Sequence, residues 1–281
     1  MVIRRDPATL GYTQSRWKLS LLAEVCDWLN ISNESSLWRL LDRLDIRYKR
    51  GREYIHSPDR HYMDKLSLIE LARLRAHYAP ERYVFLYLDE LSYYRQPTVA
   101  RAYAARGNHQ PLARRSHASN TCGRVIAVLN ALTGQVNYLQ RNKIARFTIN
   151  NFWLDIRIAY PRAELIYVAV DNWPVHFHVD SIARLQKQDF PWPPSVPTNW
   201  PKEPAASAIQ DTLPIRLLCL PTYASWLNPI EKLWRWLKQE VLHMHPYSDD
   251  WSILKQQVAS FLDQFSSGSE ELLRYVGLLP N

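Results

Sequence analysis

The order of apolar segments from Tyr83 onward constrains the fold more than any other feature of this sequence. Apolar runs alternate there with segments in which apolar residues recur at helical spacing. This alternation is typical of an α/β domain, in which helices cover a largely buried sheet. The predicted strands are residues 83–90, 122–129, 135–139, 164–172 and 215–220, and the predicted helices between and after them are residues 147–159, 175–187 and 228–242.

The order strand, hairpin, helix, strand, helix, strand, helix suits a ribonuclease H-like fold, with a mixed sheet flanked by helices. The hairpin turns around residues 130–134, and two further helices are predicted near residues 250–265 and 269–276. Residues 188–214 contain seven prolines, so neither a helix nor a central strand can persist there. We expect this segment to be an insertion, either ordered or mobile, in a catalytic domain that spans residues 81–281.

A small helical module precedes that domain. Within residues 14–60, apolar residues recur at helical spacing on either side of the polar turn at residues 30–35, which favours a helix-turn-helix. We predict a helix-turn-helix DNA-binding module over residues 1–62, resembling a winged helix, and a helical linker over residues 63–80. A plain helical hairpin with a charged face is the alternative, because sequence specifies this motif weakly.

The second helix of this module has polar residues that could contact DNA. Ser32, Asn33, Ser35 or Ser36 is expected to cap it. Its outward positions and the basic cluster that follows it, where a wing would contact backbone phosphates, give the predicted DNA-binding residues Ser36, Arg39, Arg43, Arg47, Lys49, Arg50 and Arg52.

Positive charge is concentrated in the first part of the α/β domain. The chain has a formal net charge of +8, and the stretch from Leu91 to Leu154 holds nine Lys and Arg residues without any Asp or Glu. An ordinary surface mixes both signs over such a length, so a surface that follows phosphates is favoured over a solvated basic face. In this stretch we predict that Arg106, Arg114 and Arg115 bind DNA.

Several classes of protein have no support in the sequence. Cys26, Cys122 and Cys219 are far apart and lack the spacing of a zinc or redox site. The charged start is not followed by an apolar signal core, and no run approaches the roughly 20 apolar residues of a membrane span. Only seven glycines occur, none in a phosphate-binding pattern. We therefore expect a reduced, cytoplasmic protein.

Two acidic residues stand at the ends of predicted buried strands, Asp89 on the first and Asp171 on another. An acid beside a core needs either solvent or a cation, and each one taken alone could simply begin a solvated loop. If the two strands are neighbours, however, the carboxylates meet at one sheet edge and repel each other unless a cation lies between them. Mg²⁺ is the natural candidate because it prefers hard oxygen ligands.

Glu231 lies beside the apolar stripe of the predicted helix 228–242 and could complete a three-carboxylate site. It has a structural alternative, because Asn228 as the N-cap and Pro229 as the first helical residue would make Glu231 the third residue of a capping box. Asn172 either orients phosphate or water beside Asp171 or initiates a turn.

Other polar residues are assigned less specific roles. Glu90 is expected to be solvated on the opposite face of its strand from Asp89. The histidine pairs 176/178 and 243/245 lack a third ligand at suitable spacing, so surface histidines are favoured over a metal site.

Three segments together resemble a known family. YLDE at residues 87–90, VDNWPVH at 170–176 and above all LPTYASWLNPIEKLW at 220–234 resemble the signature blocks of insertion-sequence transposases of the mariner-like superfamily, specifically the IS630 family. The resemblance extends over nearly the whole chain. It implies that Asp89, Asp171 and Glu231 are the catalytic and metal-binding triad of a DDE transposase, and it suggests TA target sites. The resemblance also implies a bacterial protein associated with the nucleoid.

The chain departs from that family's pattern in two respects. Members usually carry two helix-turn-helix units, and this sequence begins at the second, so we expect a truncated copy or one part of a split reading frame. The interval from Asp171 to Glu231 is also longer than usual, because the Pro-rich segment lies within it. That difference puts the local geometry, rather than the set of ligands, in question.

The expected function is metal-dependent cleavage at the ends of an insertion sequence and transfer of the cut strand into target DNA. It requires two Mg²⁺ ions per site, with Mn²⁺ expected to substitute, and no covalent protein intermediate. Double-stranded DNA is the expected partner, and a homodimer is expected because two ends must be brought together. The alternatives are an inactive remnant that only binds DNA, and a ribonuclease H-like DNA nuclease without strand transfer.

Overall fold

The chain divides into two compact units, Met1–Tyr54 and Ile55–Asn281. The computed structural model describes residues 2–31, 33–49, 56–107, 109–188, 190–192 and 195–280. No helix within these residues combines the length and apolar character that a membrane span requires.

The smaller unit is built around two helices, α1 (Leu19–Val25) and α2 (Glu34–Arg43). Short 3₁₀ turns at Val2–Arg4, Pro7–Leu10 and Asp27–Leu29 accompany them. Leu21, Leu22 and Leu37 are buried between the helices. Asn33, one of the predicted caps, accepts a hydrogen bond from the Ser36 backbone N–H at 2.7 Å and so begins α2. This arrangement is compatible with a helix-turn-helix.

A five-stranded mixed sheet forms the centre of the larger unit. Its strands are β1 (Tyr83–Tyr94), β2 (Cys122–Asn130), β3 (Val136–Arg141), β4 (Leu165–Val170) and β5 (Ile215–Cys219), and their order across the sheet is β3-β2-β1-β4-β5. The pairs β1/β2 and β2/β3 are antiparallel, whereas β1/β4 and β4/β5 are parallel. The predicted fold class, a mixed sheet flanked by helices with a hairpin between its second and third strands, is confirmed.

Helices cover both faces of the sheet. They are α3 (Tyr62–Tyr78), α4 (Arg146–Ala159), α5 (Val179–Ile182), α6 (Ile230–Leu237), α7 (Trp251–Asp263) and α8 (Glu270–Val276). Side chains alternate along β1, so that Phe85, Tyr87 and Leu91 face α3, α6, α7 and α8. Leu86 and Leu88 face α4 and the segment that follows β4. The two faces therefore have separate apolar cores.

Two predicted helices differ from those in the structure. Residues 175–187 form a 3₁₀ turn at Pro174–Phe177 and then the short α5, because His178 is extended and its Nδ1 accepts the Asp180 backbone N–H at 3.1 Å. The predicted helix 228–242 begins at Ile230, and after Leu237 it continues as a π-helical turn, Lys238–Leu242. Its buried stripe of Ile230, Leu233, Trp234 and Leu237 is confirmed.

The Pro-rich segment contains little regular structure in its described residues, as predicted. Its elements are a 3₁₀ turn at Ala206–Ala208 and a bridge from Leu213 to Leu185. A further 3₁₀ turn, Ser225–Leu227, follows β5. Asp180 anchors the segment, because its carboxylate accepts hydrogen bonds from the Ala205 backbone N–H at 2.8 Å and from Arg146 Nε at 2.6 Å. The insertion is therefore fastened to α4 and α5.

Candidate active site

Asp89 lies inside β1 and not at the end of the strand, where the sequence pattern had placed it. Pairing with β2 continues β1 to Tyr94, with Asp89 opposite Ala127. On its other side, β1 pairs with β4 in parallel as far as Tyr87 opposite Ala169. Two residues further along each strand, Asp89 and Asp171 therefore lie side by side where β4 ends.

Burial and neighbouring acids act on the Asp89 carboxyl. Burial, together with the carboxylates of Glu231 and Glu90, raises its pKa to about 8, because a second and third negative charge disfavour its ionised form. The indole Nε1 of Trp234 donates a hydrogen bond to Asp89 Oδ2 at 2.9 Å. This bond fixes the carboxyl against α6.

Asp171 follows β4 directly and is held through one oxygen. Its Oδ1 accepts the Trp173 backbone N–H at 3.0 Å and lies 3.1 Å from Nδ1 of His176. Burial would raise the pKa of Asp171, but His176 and the Trp173 backbone N–H together outweigh burial and hold the pKa below its usual value. Asp171 and Asp89 are thus neighbouring acids with opposite pKa shifts.

Glu231 lies in the first turn of α6 and its side chain is exposed. Partial burial and the nearby Asp171 raise its pKa, while Lys238 and Arg235 act in the opposite direction. The predicted capping box is absent, since no side chain caps α6 and its N-cap position is Pro229. Capping therefore does not explain Glu231, although it does lie in the first turn as predicted.

The two predicted supporting asparagines tie the surrounding segments together. Asn228 is buried and donates from Nδ2 to the Leu88 carbonyl of β1 at 3.0 Å, which fastens the start of α6 to the sheet. Asn172 donates from Nδ2 to the Leu220 carbonyl at 2.8 Å, which links the ends of β4 and β5.

One cavity of about 430 Å³ joins these residues. Asp89, Asp171, Asn172, Asn228 and Glu231 line it, with a loop from Leu220 to Ser225 as the opposite wall. The fold therefore brings the three predicted acids, from β1, from the end of β4 and from α6, to one opening.

The donor set of this cavity fits a hard divalent cation. The Glu231 carboxylate raises the pKa of Asp89 and the Asp171 carboxylate raises that of Glu231, and a cation relieves such repulsion. Asn228 Oδ1 is also buried at the cavity without a hydrogen-bond partner in the described part of the chain. Within the described residues, no three acidic, His or Cys side chains form a preformed metal-binding cluster, so the acids share the cavity without converging.

A second cavity of about 480 Å³ adjoins the first and shares Ser225, Asn228 and Glu231 with it. Its remaining lining is mostly basic or polar and consists of Trp226, Lys232, Arg235, Lys238, Gln239 and His243. Sequence reasoning did not single out Arg235 or Lys238. Their spacing of four and seven residues after Glu231, on one face of a helix, is the signal that could have identified them.

Glu90 and three histidines were assigned wrongly to the solvated surface. Glu90 does point to the opposite face from Asp89, but its side chain is 17% exposed and its Oε1 lies 2.8 Å from His176 Nε2. His176, His178 and His245 are buried. Burial of these side chains depends on contacts between distant segments, which an apolar pattern does not reveal.

The predicted DNA-binding residues lie outside this site. In the smaller unit, Ser36, Arg39, Arg43, Arg47 and Lys49 are exposed, with Arg47 3.6 Å from Asp45. Arg50 and Arg52 lie outside the described residues. In the larger unit, the loop between β1 and β2 carries the exposed residues Arg106, Arg114 and Arg115.

Comparison with known proteins gives a family match and a related protein, followed by a set of similar solved structures. The family described as DDE superfamily endonuclease matches residues 84–255, which include Asp89, Asp171 and Glu231. An uncharacterized 39 kDa protein of the insertion element IS630, from Shigella sonnei, is 23% identical over 267 residues, which are 94% of this chain and 69% of that protein.

The solved structures that resemble this fold include complexes of the Mos1 transposase. A paired-end complex with the left transposon end has a TM-score of 0.56 at 14% identity and covers 96% of this chain and 77% of its own. A pre-cleavage Mos1 transpososome has a TM-score of 0.57 at 14% identity, with 98% and 74% covered. Further paired-end complexes of Mos1 contain Mn and Mg.

Proposed function

Because the chain belongs to the DDE superfamily of endonucleases, we propose that it is a transposase of the IS630 and mariner kind, which cleaves DNA at the ends of an insertion sequence and joins the cut strand to target DNA. One observation carries this proposal. Asp89, Asp171 and Glu231 come from three different elements and line a single cavity.

Two divalent cations are proposed as cofactors, Mg²⁺ with Mn²⁺ as a substitute, held by Asp89, Asp171 and Glu231. Such ions lower the pKa of an attacking water or 3′-hydroxyl and stabilise the leaving oxygen. Mos1 complexes with either metal support this choice. Burial and the nearby acids raise the pKa of Asp89 to about 8, so a cation held there would favour the ionised carboxylate.

The chain's own residues position the DNA strand. Arg235 and Lys238 lie beside Glu231 in the adjoining basic cavity, where they would bind the phosphates next to the one that is cut. The exposed Trp226 at the same cavity could stack on a base that has left the duplex. Asn228 and Trp234 keep α6, and with it Glu231, against β1.

Recognition of the element's ends is proposed for the unit Met1–Tyr54, with Ser36, Arg39 and Arg43 on α2 and the basic residues Arg47, Lys49, Arg50 and Arg52 after it. Arg106, Arg114 and Arg115 are proposed to bind backbone phosphates. Two copies of the chain would pair two ends, as a homodimer. The Mos1 complex with its left transposon end supports the binding of an element's end by a chain of this fold.

The test uses labelled DNA that carries the element's own flanking ends, together with a target plasmid and Mg²⁺. A transposase gives cuts at the ends and joined products, both of which disappear in Asp171→Asn while binding to the ends persists. Specific binding without any cut identifies a DNA-binding remnant. Cuts without joining identify a nuclease.

A further inference from the structure

His176 is a buried histidine that has no role in the proposed reaction as described above. It lies on the 3₁₀ turn Pro174–Phe177, five residues after Asp171, and it is 0% exposed. The rings of Trp173 and Phe177 pack edge-on against its imidazole, with centroids at 5.3 and 6.4 Å. The imidazole is therefore fixed in place by aromatic neighbours on two sides.

Both ring nitrogens face carboxylates. Nε2 lies 2.8 Å from Glu90 Oε1, and Nδ1 lies 3.1 Å from Asp171 Oδ1, although the second contact is bent away from good hydrogen-bond geometry. Glu90, His176 and Asp171 therefore form a contiguous triad of side chains, with one carboxylate at each ring nitrogen.

The position of Glu90 explains how this triad reaches the cavity. Glu90 follows Asp89 on β1 but points to the other face of the sheet, toward the turn after β4. His176 therefore connects β1 with the residue that follows β4, close to where Asp89 and Asp171 meet. His176 thus links Glu90, on one face of the sheet, to Asp171, at the cavity that the three acids line.

We propose that His176 is a positioning residue that is anchored on Glu90 and orients Asp171, so that Oδ2 rather than Oδ1 is offered to a divalent cation. Oδ1 is already engaged by the Trp173 backbone N–H and by His176. Replacing a residue that contacts a metal ligand without touching the metal commonly changes the metal affinity. This inference rests on the proposed cation-binding role of Asp171.

The experiment measures Mn²⁺ binding to the full chain by electron paramagnetic resonance, together with the Mn²⁺ dependence of DNA cleavage. His176→Gln is expected to weaken Mn²⁺ binding roughly 10- to 100-fold, because glutamine cannot bridge both carboxylates. Cleavage should then require correspondingly more Mn²⁺, while the affinity for DNA stays unchanged. A merely structural role would not shift the Mn²⁺ dependence selectively.

The matched control is His178→Gln. His178 is also buried, two residues along the chain, but it caps α5 and packs against the tilted ring of Trp200, and its contacts in the described residues include none of the three acids. It should leave Mn²⁺ binding unchanged. Glu90→Gln is the second variant, since it keeps the shape of the side chain if His176→Gln fails to fold. It should weaken Mn²⁺ binding as well, and the double variant should lose less than the product of the two effects.

Asp171→Asn separates this inference from the proposed function. If Asp171→Asn loses Mn²⁺ binding while His176→Gln and Glu90→Gln bind Mn²⁺ like the unmodified protein, the positioning role is refuted and the proposed function stands. If Asp171→Asn also binds Mn²⁺ and cuts DNA normally, the proposed function fails, and this inference fails with it.

Discussion

The fold raises the pKa of Asp89 and so favours its neutral, protonated form. Burial and the nearby carboxylates of Glu231 and Glu90 raise its pKa from 3.8 to about 8. Between these pH values the folded protein holds a proton that the unfolded chain has released. The free energy of unfolding of the cation-free protein therefore receives a contribution that falls as the pH rises from about 4 to about 8.

Asp89→Asn removes that contribution, so the variant should melt at a higher temperature than the unmodified protein at pH 8 and at a similar temperature near pH 4. Thermal unfolding across this range, without divalent cations, measures the difference. Added Mg²⁺ should reduce it at pH 8 by stabilising the ionised carboxylate. Asp155→Asn, at an exposed position of α4, serves as the control. A difference in melting temperature that does not vary with pH would contradict the assignment.

Trp234 acts on the same carboxyl through its indole N–H. Trp234→Phe keeps most of the buried ring but removes the 2.9 Å hydrogen bond to Asp89 Oδ2. We expect a roughly 10-fold or greater loss of metal-dependent cleavage, with DNA binding retained. Trp236→Phe, on the same helix but packed against Phe261 and Tyr275, should keep its activity. Equal activity of both variants would show that the indole does not position Asp89.

Sequence reasoning at the scale of single residues identified the three acids but not the residues that hold them. Acids at the ends of apolar strands are visible as a pattern, and the signature around Glu231 added the third. The contacts of Glu90 with His176 and of Trp234 with Asp89 join residues 86 and 145 positions apart. Only the packed fold brings such residues together.

At the scale of elements, the strands and their order followed from long apolar runs, whereas several helix boundaries did not. The predicted helix at 175–187 fails because Pro174 and the capping side chain of His178 favour separate short turns. The end of β1 was placed too early, since pairing with β2 stabilises strand residues beyond Asp89 regardless of their polarity. Tertiary contacts therefore set the boundaries that local patterns leave open.

The buried acid Asp180 is one of the residues that attach the Pro-rich insertion, together with Asn150, which donates to the Ala208 carbonyl, and Arg184, which contacts Gln210. Asp180→Ala removes the hydrogen bonds from Ala205 N–H and Arg146 Nε, and should lower the free energy of unfolding by about 1–3 kcal/mol. Limited proteolysis should then cut faster between residues 195 and 210. Asp211→Ala, an exposed acid in the same segment, is the control. Unchanged proteolysis would mean that other contacts hold the insertion.

At the scale of the whole molecule, the sequence alone is enough to predict the charge, and the structure adds little to that prediction. The net charge is +8, and the loop between β1 and β2 displays Arg106, Arg114 and Arg115 on the surface. The position of these arginines, in a long stretch without acidic residues, is enough to predict that their side chains are exposed.

Replacing Arg106, Arg114 and Arg115 with glutamine should weaken DNA binding and reduce its dependence on salt. The slope of log affinity against log salt concentration should become shallower by about 0.9 for each phosphate contact that is lost. Fluorescence anisotropy with labelled DNA at several NaCl concentrations measures the slope. Arg274→Gln, whose arginine pairs with Glu270 on α8, should leave it unchanged. An unaltered slope in the triple variant would place the DNA elsewhere.

The most direct measurement is Mg²⁺-dependent cleavage of DNA bearing the element's ends by Asp89→Asn, Asp171→Asn and Glu231→Gln, with Glu240→Gln as the control. Glu240 is an exposed acid nine residues after Glu231, on the π-helical turn. If the three acids form one cation-binding site, each of the first three variants binds DNA normally but loses cleavage, whereas Glu240→Gln cuts like the unmodified protein. Full cleavage by any one of the three acid variants would contradict the account.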